Sequence, residues 1–139
     1  MSSPIYMEKR TLLSLRERWC ARIGTSVAFW LVKLKPGVLV RVLKSIAVTH
    51  GEADYSEVER IRTSINSVSA RCAGNGCLQR SVAAMIIARM KGIPLAWRSG
   101  FRINPFIAHA WVEVDGRPVG ETMDLTSFHI SLAVGANDD

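Results

Sequence analysis

A cysteine at position 77, a histidine at 109 and carboxylates at 121 and 124 are residue types that together can cleave or transfer acyl groups. A thiolate attacks the carbonyl, an imidazole holds and returns the proton, and a carboxylate orients the imidazole. Cys77 follows the turn Gly74-Asn75-Gly76 and opens CLQRSVAAMIIARMKG (77–92), a run with the composition of a buried helix. At a helix N-terminus, unpaired backbone N–H groups and the positive dipole end stabilise a thiolate and can hold an oxyanion. His109 lies 32 residues on, in AHAWVEVDGRPVGE (108–121), which reads as a β-hairpin turning at Asp115-Gly116. Counting back from that turn pairs 114 with 117, 110 with 121 and 109 with 122. Glu121 thus comes near His109 on the adjacent strand. Asp124, the next aspartate, is the alternative orienting acid.

CLQRSVAAMIIARMKGIPLAWRSGF, followed by NPFIAHAWVEVDGRPVGE, resembles the transglutaminase-like cysteine peptidases that remove leader peptides in lasso-peptide biosynthesis. The likeness covers residues 70–135 or so and rests on Cys-Leu-x-Arg-Ser together with Ala-His-Ala-Trp-Val-Glu. It implies an α+β, papain-like fold in which a nucleophile helix packs on an antiparallel sheet, with a Cys–His–Asp triad. Cys77 matches the nucleophile and His109 the base. The family's acid falls about a dozen residues past the histidine, on Glu121, where aspartate is usual. The resemblance also implies a helical N-terminal subdomain (1–65) and a peptidase core (66–139) forming one compact unit.

The implied reaction is cleavage of a precursor peptide between leader and core through an acyl-enzyme, a step that needs no metal or nucleotide cofactor. The implied partners are the precursor, a separate leader-binding protein, and the ATP-dependent cyclase of such pathways. Acyl transfer by the same triad is the competing chemistry. A non-catalytic peptide-binding module is the competing class.

The elements that would position these groups can be read from periodicity. In residues 8–34, Leu12, Leu15, Trp19, Ile23, Val27, Trp30 and Leu34 recur at three- or four-residue steps, which gathers them on one helix face. Pro36-Gly37 ends that unit. Residues 38–48 suit a short helix or a strand. Asp54 or Ser56 caps a helix to about residue 70, with Val58, Ile61, Ile65 and Val68 on its inner face. Gly92 suits a C-cap. Strands follow at 95–103, with an irregularity at Gly100, in the hairpin, and at 128–134.

Composition bounds the alternatives. With 48% hydrophobic and 22% charged residues, the chain is an ordered globular protein. Three cysteines (Cys20, Cys72, Cys77) without framework spacing point to a reduced, cytoplasmic chain. The apolar stretch IGTSVAFWLV (23–32) is too short to span a bilayer, and MSSPIYMEKR has no signal-peptide character. A metal site from Cys72, Cys77, His109 and His129 is disfavoured, because Cys-x4-Cys falls at the loose end of zinc spacing and no second Cys or His pair follows.

Trp111, two residues from His109 on the same strand face, either packs the sheet or shields the triad. Gln79 and Arg80 fall in the first turn beside Cys77; an exposed helix face is the default reading for both. The net charge is +6. Its basic excess concentrates in the helical half, at Arg16, Arg18, Arg22, Lys33, Lys35, Arg41, Lys44, Arg60 and Arg62, as a solvated face or a dock for an acidic partner. No nucleic-acid recognition motif accompanies it.

Overall fold

The computed structural model describes residues 13–135, so Leu12 and the helix start expected at residue 8 lie outside the described residues. Helix α1 runs Leu15–Leu31. Ser14 caps it reciprocally: its Oγ accepts from the Glu17 amide while Glu17 accepts from the Ser14 amide, both at 3.2 Å. The regular apolar stripe exists, but it faces outward. Leu15, Trp19, Ile23, Val27, Trp30 and Leu34 are 38–72% exposed. The buried face consists of Ala21, Gly24, Thr25 and Ala28. Small residues win the inner position because α1 lies directly on the central helix. A Cβ on Gly24 would come within 2.7 Å of Ile87 Cγ1.

Pro36 does not follow α1 as a terminator; it opens helix α2 (Pro36–Ile46), where a missing N–H costs nothing. That resolves residues 38–46 as helix, with Leu39 and Leu43 buried, while Ala47 caps it in an extended conformation. Helix α3 (Tyr55–Val68) starts at Asp54, whose carboxylate accepts from the Ser56 amide. It buries Val58, Ile61 and Ile65. A single turn, α4 (Ala70–Ala73), leads to α5 (Cys77–Lys91), which ends on left-handed Gly92 (φ 72°).

Strands β1 (Ala96–Arg102), β2 (Ile107–Val114), β3 (Arg117–Pro118) and β4 (His129–Val134) form one antiparallel sheet in the order β3-β2-β1-β4. Asp115 and Gly116 take the positive φ values, 50° and 77°, that a two-residue hairpin turn requires. The irregularity expected at Gly100 is a register shift against β4. A Cβ there would sit 2.5 Å from the His129 carbonyl oxygen, so only glycine lets β4 close on β1. Helix α5 is the hub. It packs on α1 and α3 on one side and the sheet on the other, and Trp97 Nε1 donates to Ser81 Oγ at 2.9 Å across that junction. One apolar cluster joins Ala28, Leu43, Ile65, Val82, Ile87, Trp97, Val112 and Val134. Among the described residues, no helix is long and apolar enough to cross a membrane.

Candidate active site

The turn before Cys77 is built on close backbone contact. The Gly76 amide donates to the Arg71 carbonyl at 2.9 Å, and a Cβ on Gly76 would lie 2.6 Å from that same oxygen. Only glycine fits. Cys77 is therefore delivered half-buried to the first turn of α5, and the Arg80 amide closes that turn on the Gly76 carbonyl.

His109 comes from the start of β2, opposite Gly100 of β1. It lies against both Cys77 and Glu121, close enough to interact electrostatically with each. Its Nε2 lies 2.8 Å from Glu121 Oε2, which leaves Nδ1 as the ring nitrogen for the thiol. The ring stacks on Trp111 (centroids 6.0 Å, planes 17° apart) and meets the edge of Phe128 at 6.5 Å. Trp111 is itself buried, with its indole N–H donating to Glu113 at 2.8 Å. It thus packs the sheet and bounds one face of the imidazole.

Glu121 reaches His109 by a route the ladder count does not contain. Strand β3 ends at Pro118, and the chain passes through Gly120 in a left-handed conformation (φ 66°) before presenting Glu121. One carboxylate oxygen faces His109; the other accepts from Arg62 Nη1 at 2.9 Å. The side chains of Arg62, Glu121 and His109 are 7%, 5% and 10% exposed. Asp124 sits elsewhere: exposed, its Oδ1 accepting from the Thr126 amide and hydroxyl at 3.0 and 2.7 Å, which keeps its carboxyl below the ordinary value.

The electrostatics follow from these contacts. Burial pushes the Cys77 thiol up, but the neighbouring His109 and its charge, the Ala110 amide and Arg80 outweigh it and bring the thiol below its ordinary value. Burial alone would lower the imidazole; the adjacent Cys77 and the hydrogen-bonded, charged Glu121 instead raise His109 to about 9. Glu121 is likewise pushed up by burial, and His109, Arg62 and Arg80 bring it below the ordinary carboxylate value. The arrangement favours a thiolate–imidazolium pair beside helix N–H groups able to bind an oxyanion.

The remaining candidates separate cleanly. Cys72 is fully buried and burial raises its thiol, whereas Cys20 is half-buried on α1. His50 and His129 are exposed, and among the described residues no three His, Cys, Asp or Glu side chains gather as metal ligands would. Gln79 and Arg80 are not on an exposed helix face. Both are buried: Gln79 Nε2 donates to the Thr25 carbonyl, and Arg80 Nη1 donates to the Cys72 carbonyl at 2.6 Å. A cavity of about 750 Å³ at the other end of the sheet, walled by Ala47, Pro94, Val114 and Gly135 among others, contains none of the triad candidates.

Two neighbours of the site escaped sequence reasoning. Arg62 reads in the sequence as part of the basic face, yet it stands four residues after Val58 and three before Ile65, on the face that buries. Phe128 carried no signal beyond its place at the head of a strand.

This helix-and-sheet frame, with cysteine at a helix start and histidine on the neighbouring strand, defines a papain-like class. The family model for the transglutaminase-like superfamily matches residues 21–133, and the chain belongs to that superfamily. No curated protein and no solved structure gave a significant match.

Proposed function

We propose that this protein is a cysteine endopeptidase that removes the leader from a ribosomally made lasso-peptide precursor, with Cys77 as nucleophile, His109 as base and Glu121 as orienting acid. The observation that carries the proposal is the buried 2.8 Å contact between His109 Nε2 and Glu121 on the ring that also lies against Cys77. His109 keeps Cys77 as thiolate, which attacks the scissile carbonyl. The N–H groups at the start of α5 stabilise the tetrahedral oxyanion. His109 then protonates the leaving amine, and water releases the leader from the acyl-enzyme. Membership of the superfamily is consistent with either peptidase or acyltransferase chemistry; the peptidase reading rests on the Cys-Leu-Gln-Arg-Ser and Ala-His-Ala-Trp-Val-Glu motifs.

We also propose that the substrate arrives on a separate leader-binding protein. The exposed stripe of α1 offers that partner apolar contacts, and Arg16, Arg22 and Lys33 beside it favour an acidic counterface over a second copy of the same basic helix. The test combines this protein, the candidate precursor peptide and leader-binding protein encoded nearest its gene, and mass measurement of the products. Leader and core peptides, summing to the precursor plus one water, support the proposal. Leader joined to an added amine indicates acyl transfer, and unchanged precursor indicates a binding module.

A further inference from the structure

We infer that Arg62 of α3 is a positioning residue for this site, holding Glu121 in the one orientation that meets His109. The inference rests on the triad reading above.

Glutamate carries one more rotatable bond than the aspartate usual at this position, so ordering it costs more side-chain entropy. A lone carboxylate in a site this buried also tends to take up a proton or swing toward water. The geometry answers both problems. Arg62 Nη1 binds Glu121 Oε1 at 2.9 Å, leaving Oε2 for His109 Nε2 at 2.8 Å, so the carboxylate bridges two cations with one oxygen each. The same Nη1 contacts the Val119 carbonyl at 3.3 Å, tying the guanidinium to the segment that carries Glu121.

That segment is shaped to admit the arginine. A Cβ on Gly120 would stand 2.6 Å from Arg62 Cδ and 2.7 Å from Nε, so the side chain passes over a bare glycine. Tyr55, seven residues before Arg62 and on the same helix face, secures the other side. Its hydroxyl donates to the Pro118 carbonyl at 3.2 Å and accepts from the Gly120 amide at 3.0 Å. Two residues of α3 thus grip the turn from Pro118 to Gly120 just where regular β pairing stops.

The charges facing the site come from three elements: His109 on β2, Arg62 on α3, and Arg80 on α5, which acts on both Glu121 and Cys77. Removing the Arg62 charge takes away one of the interactions that hold the Glu121 carboxyl below its ordinary value against burial, leaving His109 and Arg80 to oppose it. A protonated or displaced carboxyl no longer supports the imidazolium, and the thiolate loses its counter-ion. Cys77 then becomes reactive only at higher pH.

The experiment follows alkylation of Cys77 by iodoacetamide across pH in the full-length protein, with peptide mapping by mass spectrometry and no substrate. Fully buried Cys72 serves as the internal reporter of folding, because it stays unmodified while the protein is folded. Arg62→Gln is expected to move the acid limb of Cys77 reactivity up by about one pH unit, and Arg62→Lys, which keeps the charge, by far less. In a Glu121→Gln background, Arg62→Gln adds no further shift. The inference is overturned if folded Arg62→Gln matches the wild type, or if its shift persists undiminished without the Glu121 carboxylate. A wild-type Cys77 that reacts like free cysteine would instead overturn the triad reading itself.

Discussion

His109 and Glu121 meet at 2.8 Å although the backbone pairing between their segments ends with the Val119 amide on the Val112 carbonyl, two residues before the glutamate. Continued as a regular ladder, the hairpin would set His109 opposite Thr122 and turn Glu121 to the other face. The left-handed Gly120 redirects the chain, and the arginine of α3 fixes the carboxylate that results. Glu121 and Asp124 consequently differ in what their removal should do. Glu121→Gln is expected to lower peptide cleavage by about a hundredfold or more, while Asp124→Asn stays within about twofold, because Asp124 caps a surface turn. Steady-state rates of the two variants decide it.

The raised imidazole gives a second prediction. NMR titration of labelled histidine should find His109 protonated until about pH 9, and Glu121→Gln should lower that value by removing a hydrogen-bonded anion. A folded pKa above the ordinary 6.5 makes a contribution that is complete below 6.5 and lost as pH rises through about 9. His109→Gln should therefore cost most stability near pH 6 and progressively less above it, as denaturant melts at several pH values would show.

Gly76→Ala should destabilise the turn that presents Cys77. The added methyl would press within 2.6 Å of the Arg71 carbonyl oxygen, a backbone atom that cannot rotate away. A loss of about 1–3 kcal/mol is expected, with cleavage falling further than the folded fraction does, because the helix start itself is displaced. Thermal melts and rates measured on the same samples separate the two effects.

Exposure on α1 predicts a divided outcome for tryptophans. Trp19 and Trp30 are 60% and 67% exposed, so substitution by lysine should change stability by no more than about 0.5 kcal/mol while weakening capture of the leader-binding protein. Trp97 is fully buried, and Trp97→Ala should cost about 3–5 kcal/mol. Denaturant melts together with binding titrations check both halves.

The features legible in the sequence were those with local causes. Asp54 starts one helix and Gly92 ends another by capping, Asp115-Gly116 turns a hairpin by its permitted dihedrals, and Gly74-Asn75-Gly76 sets the start of α5. What stayed hidden depended on which surface meets which. Periodicity located the apolar face of α1 but not its direction, since close approach to Ile87 favours the small side of the helix. Gln79 and Arg80 look like surface residues until α5 is seen enclosed by α1, α3 and the sheet. Arg62 looks like one more basic residue until Glu121, 59 positions later, is folded against it.

The most direct test of the central claim is to look for the covalent intermediate. Wild-type protein mixed with the candidate precursor and leader-binding protein is quenched in acid within one turnover, then mapped by mass spectrometry. The account predicts a leader-derived thioester on Cys77, absent from Cys77→Ala, whose cleavage rate falls by at least about a thousandfold. Cleavage by Cys77→Ala at the wild-type rate, or an acyl group carried on another residue, would contradict it.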